Sequence, residues 1–232
     1  MSVKTLSFAN FLYFPGLCFT GLLCTANIAS ADWSGGIEAG ARFGSDDGPT
    51  LRFFAKNTSD PLSHFAYLDW IRDPDGSNYR IGYNPTFRVS HSIYSFGRFS
   101  LEEDDPGELD REIDAYVGIG NNLIQRGNTR IKLEVGLGAQ QLTFDDSSDE
   151  TDGFVFVASS MSSSLLALLR FDAFVSAQAN GESTSIEGEA GFSIPIAPGT
   201  KLRYVYQVQR FNFDDRENFV NEENFFKISY GF

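Results

Sequence analysis

Two histidines occur in the chain, and one of them, His91, stands between Ser90 and Ser92. An imidazole can remove the proton of a serine hydroxyl, so "SHS" is the place where an acyl-ester or lipid hydrolase would be built. Serine is also an ordinary turn residue, because its hydroxyl can cap nearby backbone groups. Two readings follow: a short polar turn, or, as the alternative, a lipid- or ester-hydrolysing site using His91 and a neighbouring serine. The second histidine, His64 in "LSHFAY", has no nucleophile near it in sequence and reads as a polar residue at an interface.

Metal chemistry has one candidate run. Asp145, Asp146, Asp149, Glu150 and Asp152 are close enough to offer carboxylate oxygens to Ca²⁺. The spacing lacks the central glycine and terminal glutamate of an EF-hand loop, so no defined metal site is expected. A solvated acidic loop is the default, and weak divalent-cation binding is the remaining alternative. Cys18 and Cys24 are the only thiols, and both precede residue 32. Thiolate metal clusters and cysteine nucleophiles are therefore excluded from the rest of the chain. The Gly-x-Gly pairs at 118–120 and 136–138 precede no helix, so they read as a small strand face rather than a phosphate cradle. No cofactor is implied. The net charge of −13, from 18 basic and 31 acidic residues, argues against nucleic acid as a partner.

The elements that must carry these residues are strands. After residue 31 no stretch shows a period of 3.6, and segments of about ten alternating residues are punctuated by polar clusters. "WSGGIEAGARF" puts Trp33, Ile37, Ala39, Ala41 and Phe43 on one face. "YRIGYNPTFRV" groups Tyr79, Ile81, Tyr83, Pro85, Phe87 and Val89 against Arg80, Gly82, Asn84, Thr86 and Arg88. "RIKLEVGLGAQ" and "KLRYVYQVQ" repeat the pattern. A soluble sandwich would have one aliphatic inner face and one polar outer face. Here the apolar face carries aromatics near segment ends and the other is small and charged, which suits a barrel with lipid outside and a polar interior. Closure satisfies every backbone donor and acceptor, as a sheet in lipid requires.

Twelve segments can be drawn, with ten as the alternative; the division is least secure in "GFVFVASSMSSSLLALLRFDAFVSA" (153–177). The connections alternate in kind. Those at 45–49, 72–77, 102–110, 145–152, 180–183 and 214–223 are acidic, whereas those at 57–61, 90–92, 121–129, 161–164 and 196–200 are mostly short and nearly uncharged. An even strand count puts both termini with the short turns, which predicts that every acidic loop faces out of the cell. On the inner face of their segments fall Arg80, Arg88, Arg98, Glu112, Asp114, Lys132, Glu134, Glu187, Glu189 and Arg203. They either plug the lumen with ion pairs or line a narrow aqueous path, and the plug is the favoured expectation.

The two ends of the chain state its destination. Residues 1–31 begin with Lys4, continue as an apolar run broken by Pro15 and Gly16, and finish on Ala29, Ser30 and Ala31. That is the form of a secretory signal peptide cleaved after Ala31, leaving residues 32–232 as the barrel. The chain ends "ENFFKISYGF", with Phe226, Ile228, Tyr230 and Phe232 on one face. Lipid would cover this face, and the pattern resembles the C-terminal signal read by the barrel-assembly machinery of the bacterial outer membrane.

Three further stretches, "SIYSFGRFSLEEDD" (92–105), "DAYVGIGNNLI" (114–124) and "IKLEVGLGAQ" (131–140), carry a family resemblance. With "WSGGIEAG" at the start and "KLRYVYQ" and "ISYGF" at the end, the chain resembles the salt-induced outer-membrane proteins, the YdiY-like family of unknown function. The resemblance implies a non-enzymatic outer-membrane β-barrel serving envelope maintenance or limited small-solute passage.

Overall fold

The computed structural model describes residues 33–232 except 45–46, 73–75, 106–108, 145–148, 167, 181–182 and 214–218. The signal peptide expected at 1–31, with its cleavage point before Asp32, lies outside the described residues. What is described is an all-β closed barrel of twelve strands, each antiparallel to its sequence neighbours. In order they are β1 (Trp33–Gly44), β2 (Gly48–Asn57), β3 (Leu62–Arg72), β4 (Ser77–Arg88), β5 (Ile93–Asp105), β6 (Leu109–Arg126), β7 (Thr129–Phe144), β8 (Asp149–Ser164), β9 (Arg170–Ala179), β10 (Ser183–Ala197), β11 (Thr200–Phe213) and β12 (Phe219–Gly231). The ten-strand alternative is thereby excluded.

The seam is closed by the end of the chain. β12 pairs with β1 through Ile37↔Tyr230, Ala39↔Ile228 and Ala41↔Phe226. Phe232 exchanges backbone hydrogen bonds with Gly35, both at 2.9 Å, one residue beyond the regular strand. Phe232 is thus part of the ladder. Among the described strands no edge is left open, as a sheet in hydrocarbon demands.

Alternation sorts side chains as the pleat dictates. The outer belt is apolar and exposed, with Ile81, Phe99, Val117, Leu137, Val155 and Ile186 among its members. Near the short-turn end, His64 shares a 2.7 Å hydrogen bond with the Tyr83 hydroxyl, and its ring stacks between those of Tyr83 and Trp33 at 6.0 and 6.5 Å. Aromatic and polar groups of this kind populate the boundary between headgroups and hydrocarbon. Between Tyr83↔Phe99 and Thr86↔Phe96 the β4–β5 ladder is interrupted, where Pro85 can donate no N–H. Gly97 faces the Pro85 ring there, and the two contribute to a hollow of about 470 Å³ in the wall, also lined by Tyr83, Phe99, Val117 and Leu137.

Several acidic connections are shorter than expected, because strands take in 102–105, 109–110, 149–152 and 219–223, and two of the uncharged ones also differ. The serines of "MSSS" (161–164) were expected in a turn, yet they complete β8, and the turn follows at 165–169. Their hydroxyls bond across strands: Ser163 with Thr129 at 2.9 Å, and Ser159 just before them donating to the Lys132 carbonyl at 3.2 Å. The turn itself exposes Leu165, Leu166 and Leu168, so apolar residues rather than polar ones reverse the chain. In "NNLIQRGNT" (121–129) the strand runs on to Arg126 with a bulge at Asn122–Ile124, and only Gly127 and Asn128 form the turn. Gly127 has φ 57°, the left-handed conformation that glycine tolerates best.

Candidate functional site

The barrel's interior gathers the charged residues, and it has three zones. The first is aromatic. Tyr94 and Phe96 on β5, Tyr116 on β6, and Phe154 and Phe156 on β8 turn inward and pack together, with Phe156 only 1% exposed. Ring centroids of Phe96 and Phe156 lie 6.3 Å apart, those of Tyr116 and Phe156 4.8 Å, and those of Tyr116 and Phe154 5.7 Å. Glycines make the room: a Cβ on Gly118, Gly120 or Gly138 would come within 2.6, 2.2 and 2.6 Å of the Phe96, Tyr94 and Phe154 rings. Gly118, Gly120 and Gly138 are floors under aromatic rings, whereas Gly136 lies against the backbone of Val117 and Gly118.

Arg98 sits among these rings. Its guanidinium lies 5.2 Å from the Phe96 and Phe156 centroids and 5.6 Å from that of Tyr116, within cation–π range. It forms an ion pair with Glu134, whose other oxygen accepts the Tyr94 hydroxyl at 2.8 Å. The Lys132 ammonium stands 5.7 Å from the Tyr94 ring. Glu134 neutralises Arg98, and the rings shield that pair from water.

The second zone closes the wall across the seam. Arg203 on β11 reaches Glu38 on β1 at 2.5 Å, and Arg42 pairs with Glu223 at 2.9 Å. Arg52 and Asp69 form a bidentate bridge with distances of 2.5 and 2.6 Å, the planar fork geometry suited to guanidinium and carboxylate. The Lys227 ammonium lies 4.3 Å from the Phe225 ring.

The third zone is acidic. Arg80 is 3.4 Å from Glu102. Asn78 donates to Glu102 and Gln140 to Glu112, both at 2.8 Å, while Ser100 donates to Asp114 at 3.4 Å and Gln207 to Glu187 at 3.4 Å. Arg80, Glu102, Glu112, Asp114 and Glu187 lie three to five residues in from the strand ends that meet the acidic connections. Lys132, Arg203 and Lys227 lie three or four residues in from the opposite, short-turn ends. Lys132, Arg203 and Lys227 thus gather towards the short turns and the carboxylates about Arg80 towards the acidic connections, an end that also holds the paired Arg42–Glu223 and Arg52–Asp69.

Nine of the ten expected inner charges belong to these zones, Glu189 following Glu187 two residues along β10. The tenth, Arg88, sits at the turn end, where it makes an exposed 3.1 Å pair with Asp60. Sequence reasoning missed Glu38, Arg42, Arg52, Asp69, Glu102, Glu223 and Lys227 as members of the interior. The signal was available for Glu38 and Arg42, which alternate against Ile37 and Phe43, and for Tyr94 and Phe96, which share the parity of Arg98. On the outer face, Phe226, Ile228, Tyr230 and Phe232 are 52, 52, 51 and 73% exposed.

The "SHS" triplet forms an exposed turn between β4 and β5, and the Ser90 hydroxyl accepts the Ile93 N–H at 3.1 Å. Among the described residues, no hydrogen bond joins His91 to either serine, so the hydroxyl does a turn's work there. Of the acidic run, Asp145 and Asp146 lie outside the described residues, whereas Asp149, Glu150 and Asp152 belong to β8; Asp152 accepts a hydrogen bond from Asn180 at 3.3 Å. Among the described residues no group of three or more histidine, cysteine, aspartate or glutamate side chains is placed to hold a metal ion.

A closed antiparallel barrel with an apolar belt and a charged interior is the architecture of bacterial outer-membrane proteins, and solved porins share it. One is the NanC porin, 8% identical with a TM-score of 0.58 over 84% of this chain and 98% of that one. Another is the KdgM porin, 10% identical with a TM-score of 0.50 over 85% and 99%. The translocator domain of the autotransporter NalP from Neisseria meningitidis is 12% identical with a TM-score of 0.55 over 97% and 96%. At such identities the fold alone is shared. No curated protein sequence matches the chain. Residues 27–232 match the family described as "Protein of unknown function, DUF481", and the chain belongs to that family.

Proposed function

We propose that this protein is a non-enzymatic outer-membrane barrel of the salt-induced, YdiY-like kind, whose narrowed lumen serves envelope maintenance or the limited passage of small solutes. The carrying observation is the inward-facing aromatic cluster around Arg98, with Phe156 1% exposed. Residues lining a wide aqueous channel would be wetted, whereas this cluster packs like a protein core. Planar-bilayer recording of the purified protein tests the reading: it should conduct far less than an open porin of equal strand number. A large, steady conductance would overturn it.

Three further parts of the proposal concern surroundings. Outer-membrane lipid covers the apolar belt, and the assembly machinery reads Phe226, Ile228, Tyr230 and Phe232; deleting Phe232 should then lower assembled protein at low expression, and unchanged assembly would remove that signal. The acidic connections face outward, where weak divalent-cation binding is their expected chemistry. In a chain otherwise thiol-free after residue 31, Asn218→Cys should react with an impermeant maleimide on intact cells, whereas Asn128→Cys should not. Salt-linked expression is tested by protein level after a salt upshift.

A further inference from the structure

We propose that Arg80 is a tethered counter-cation, and that its guanidinium occupies and closes a carboxylate-lined passage able to take small inorganic cations. The inference rests on the narrow-lumen reading and names the ligand class and the residue that sets selectivity.

The acidic zone has an excess of negative charge, five carboxylates about one guanidinium, and Arg98 acts on Glu187 from the neighbouring aromatic zone. Glu102 comes from β5, Glu112 and Asp114 from β6, and Glu187 and Glu189 from β10. Arg80 is the cation among them, 3.4 Å from Glu102. The carboxylates whose charge acts on it include Glu102, Glu187 and Glu112. β4 and β10 are six steps apart in either direction round the barrel, so Arg80 and Glu187 belong to opposite walls. One guanidinium thus draws on carboxylates from both sides of the lumen. Its Nε is buried and makes no hydrogen bond, so the Glu102 contact is electrostatic rather than a fitted fork. That is a weaker hold than the bidentate Arg52–Asp69 bridge on the neighbouring wall.

A second observation points to a cation independently of the carboxylate count. Asp114 is 5% exposed, and its Oδ1 is buried with no hydrogen-bond partner. The other oxygen receives a long 3.4 Å contact from the Ser100 hydroxyl, and Glu112 and Gln140 lie within hydrogen-bonding reach of the same carboxyl group. A buried carboxylate oxygen without a donor is costly unless a positive charge visits it. Glu112 shares this face of β6, two residues away, so the two carboxylates lie side by side. Rings of acidic side chains select cations in channels by this means. The described carboxylates do not converge as a chelate, so the passing ion is held by the field of the ring and keeps much of its water.

The test compares wild type, Arg80→Gln, Arg80→Lys and Arg98→Gln in planar bilayers across a KCl gradient, after each shows the heat-modifiable mobility of a folded barrel. Arg80→Gln should raise conductance by about tenfold, the low end of what a charged cleft does to local counter-ion concentration. Its reversal potential should move towards that of K⁺, and millimolar MgCl₂ should block it. Arg80→Lys should stay close to wild type, and Arg98→Gln should gain much less cation preference than Arg80→Gln, because its one ion pair, with Glu134, is enclosed by aromatic rings. If Arg80→Gln does not fold, the double variant Arg80→Gln/Glu102→Gln, which removes the pair together, is read the same way. A folded variant with wild-type conductance and reversal potential overturns the inference and leaves the narrow lumen standing. A wild type that conducts as an open pore overturns both.

Discussion

Arg98 and Arg80 are the same residue on the same face of adjacent strands, and their surroundings give them different tasks. Arg98 is ion-paired with one carboxylate, Glu134, and has three aromatic rings about it. Arg80 has carboxylates from both walls and a single 3.4 Å ion contact. In the first case charge is neutralised within one pair and sealed by rings, which is how an interior is made dense. In the second, one cation is shared among several anions, so neutralisation is incomplete and the site favours any further positive charge. Alternation alone puts both arginines inside; the neighbours brought by other strands decide whether each acts as mortar or as a stopper.

That contrast is most easily broken at Arg98. Removing one partner of a buried pair strands the other, so Arg98→Ala should lower stability by about 3 kcal/mol, at the lower end for buried pairs because both side chains keep some exposure. Urea unfolding in lipid vesicles, followed by tryptophan fluorescence, reads the change. Arg98→Met/Glu134→Gln should recover most of it. An Arg98→Ala midpoint equal to wild type would mean that the rings, not the pair, hold the cluster.

A smaller effect sharpens the role of the glycine floors. In Gly118→Ala the new Cβ would lie 2.2 Å from the Val135 carbonyl oxygen and 2.6 Å from the Phe96 ring, so backbone or ring must move, at about 2 kcal/mol. Gly153→Ala, whose Cβ meets nothing closer than 3.7 Å, should leave the same urea midpoint nearly unchanged. Equal effects would show that ring packing is not what those glycines serve.

The smallest change belongs to the rim. The Arg88 and Asp60 side chains are 58 and 63% exposed, and solvent screens their pair. Arg88→Ala should therefore shift stability by no more than about 0.5 kcal/mol, and conductance should not change. A shift as large as that at Arg98 would place Arg88 in the interior network after all.

Much of this was legible without coordinates. Twelve alternating segments give twelve strands, because the period of two and the polar punctuation are local properties of the chain. Arg80 and Arg98 read as inward for the same reason. The serines at 161–164 misled because serine suits both turns and a strand whose hydroxyls bond neighbouring strands; only pairing with β7 and β9 shows which. What the sequence left open is who meets whom inside. Arg203 finds Glu38 across 165 residues, and Arg42 finds Glu223 across 181. Arg80 feels Glu187 from the far wall. Register and closure fix those meetings: strand tilt and stagger bring to one height residues that no spacing along the chain relates.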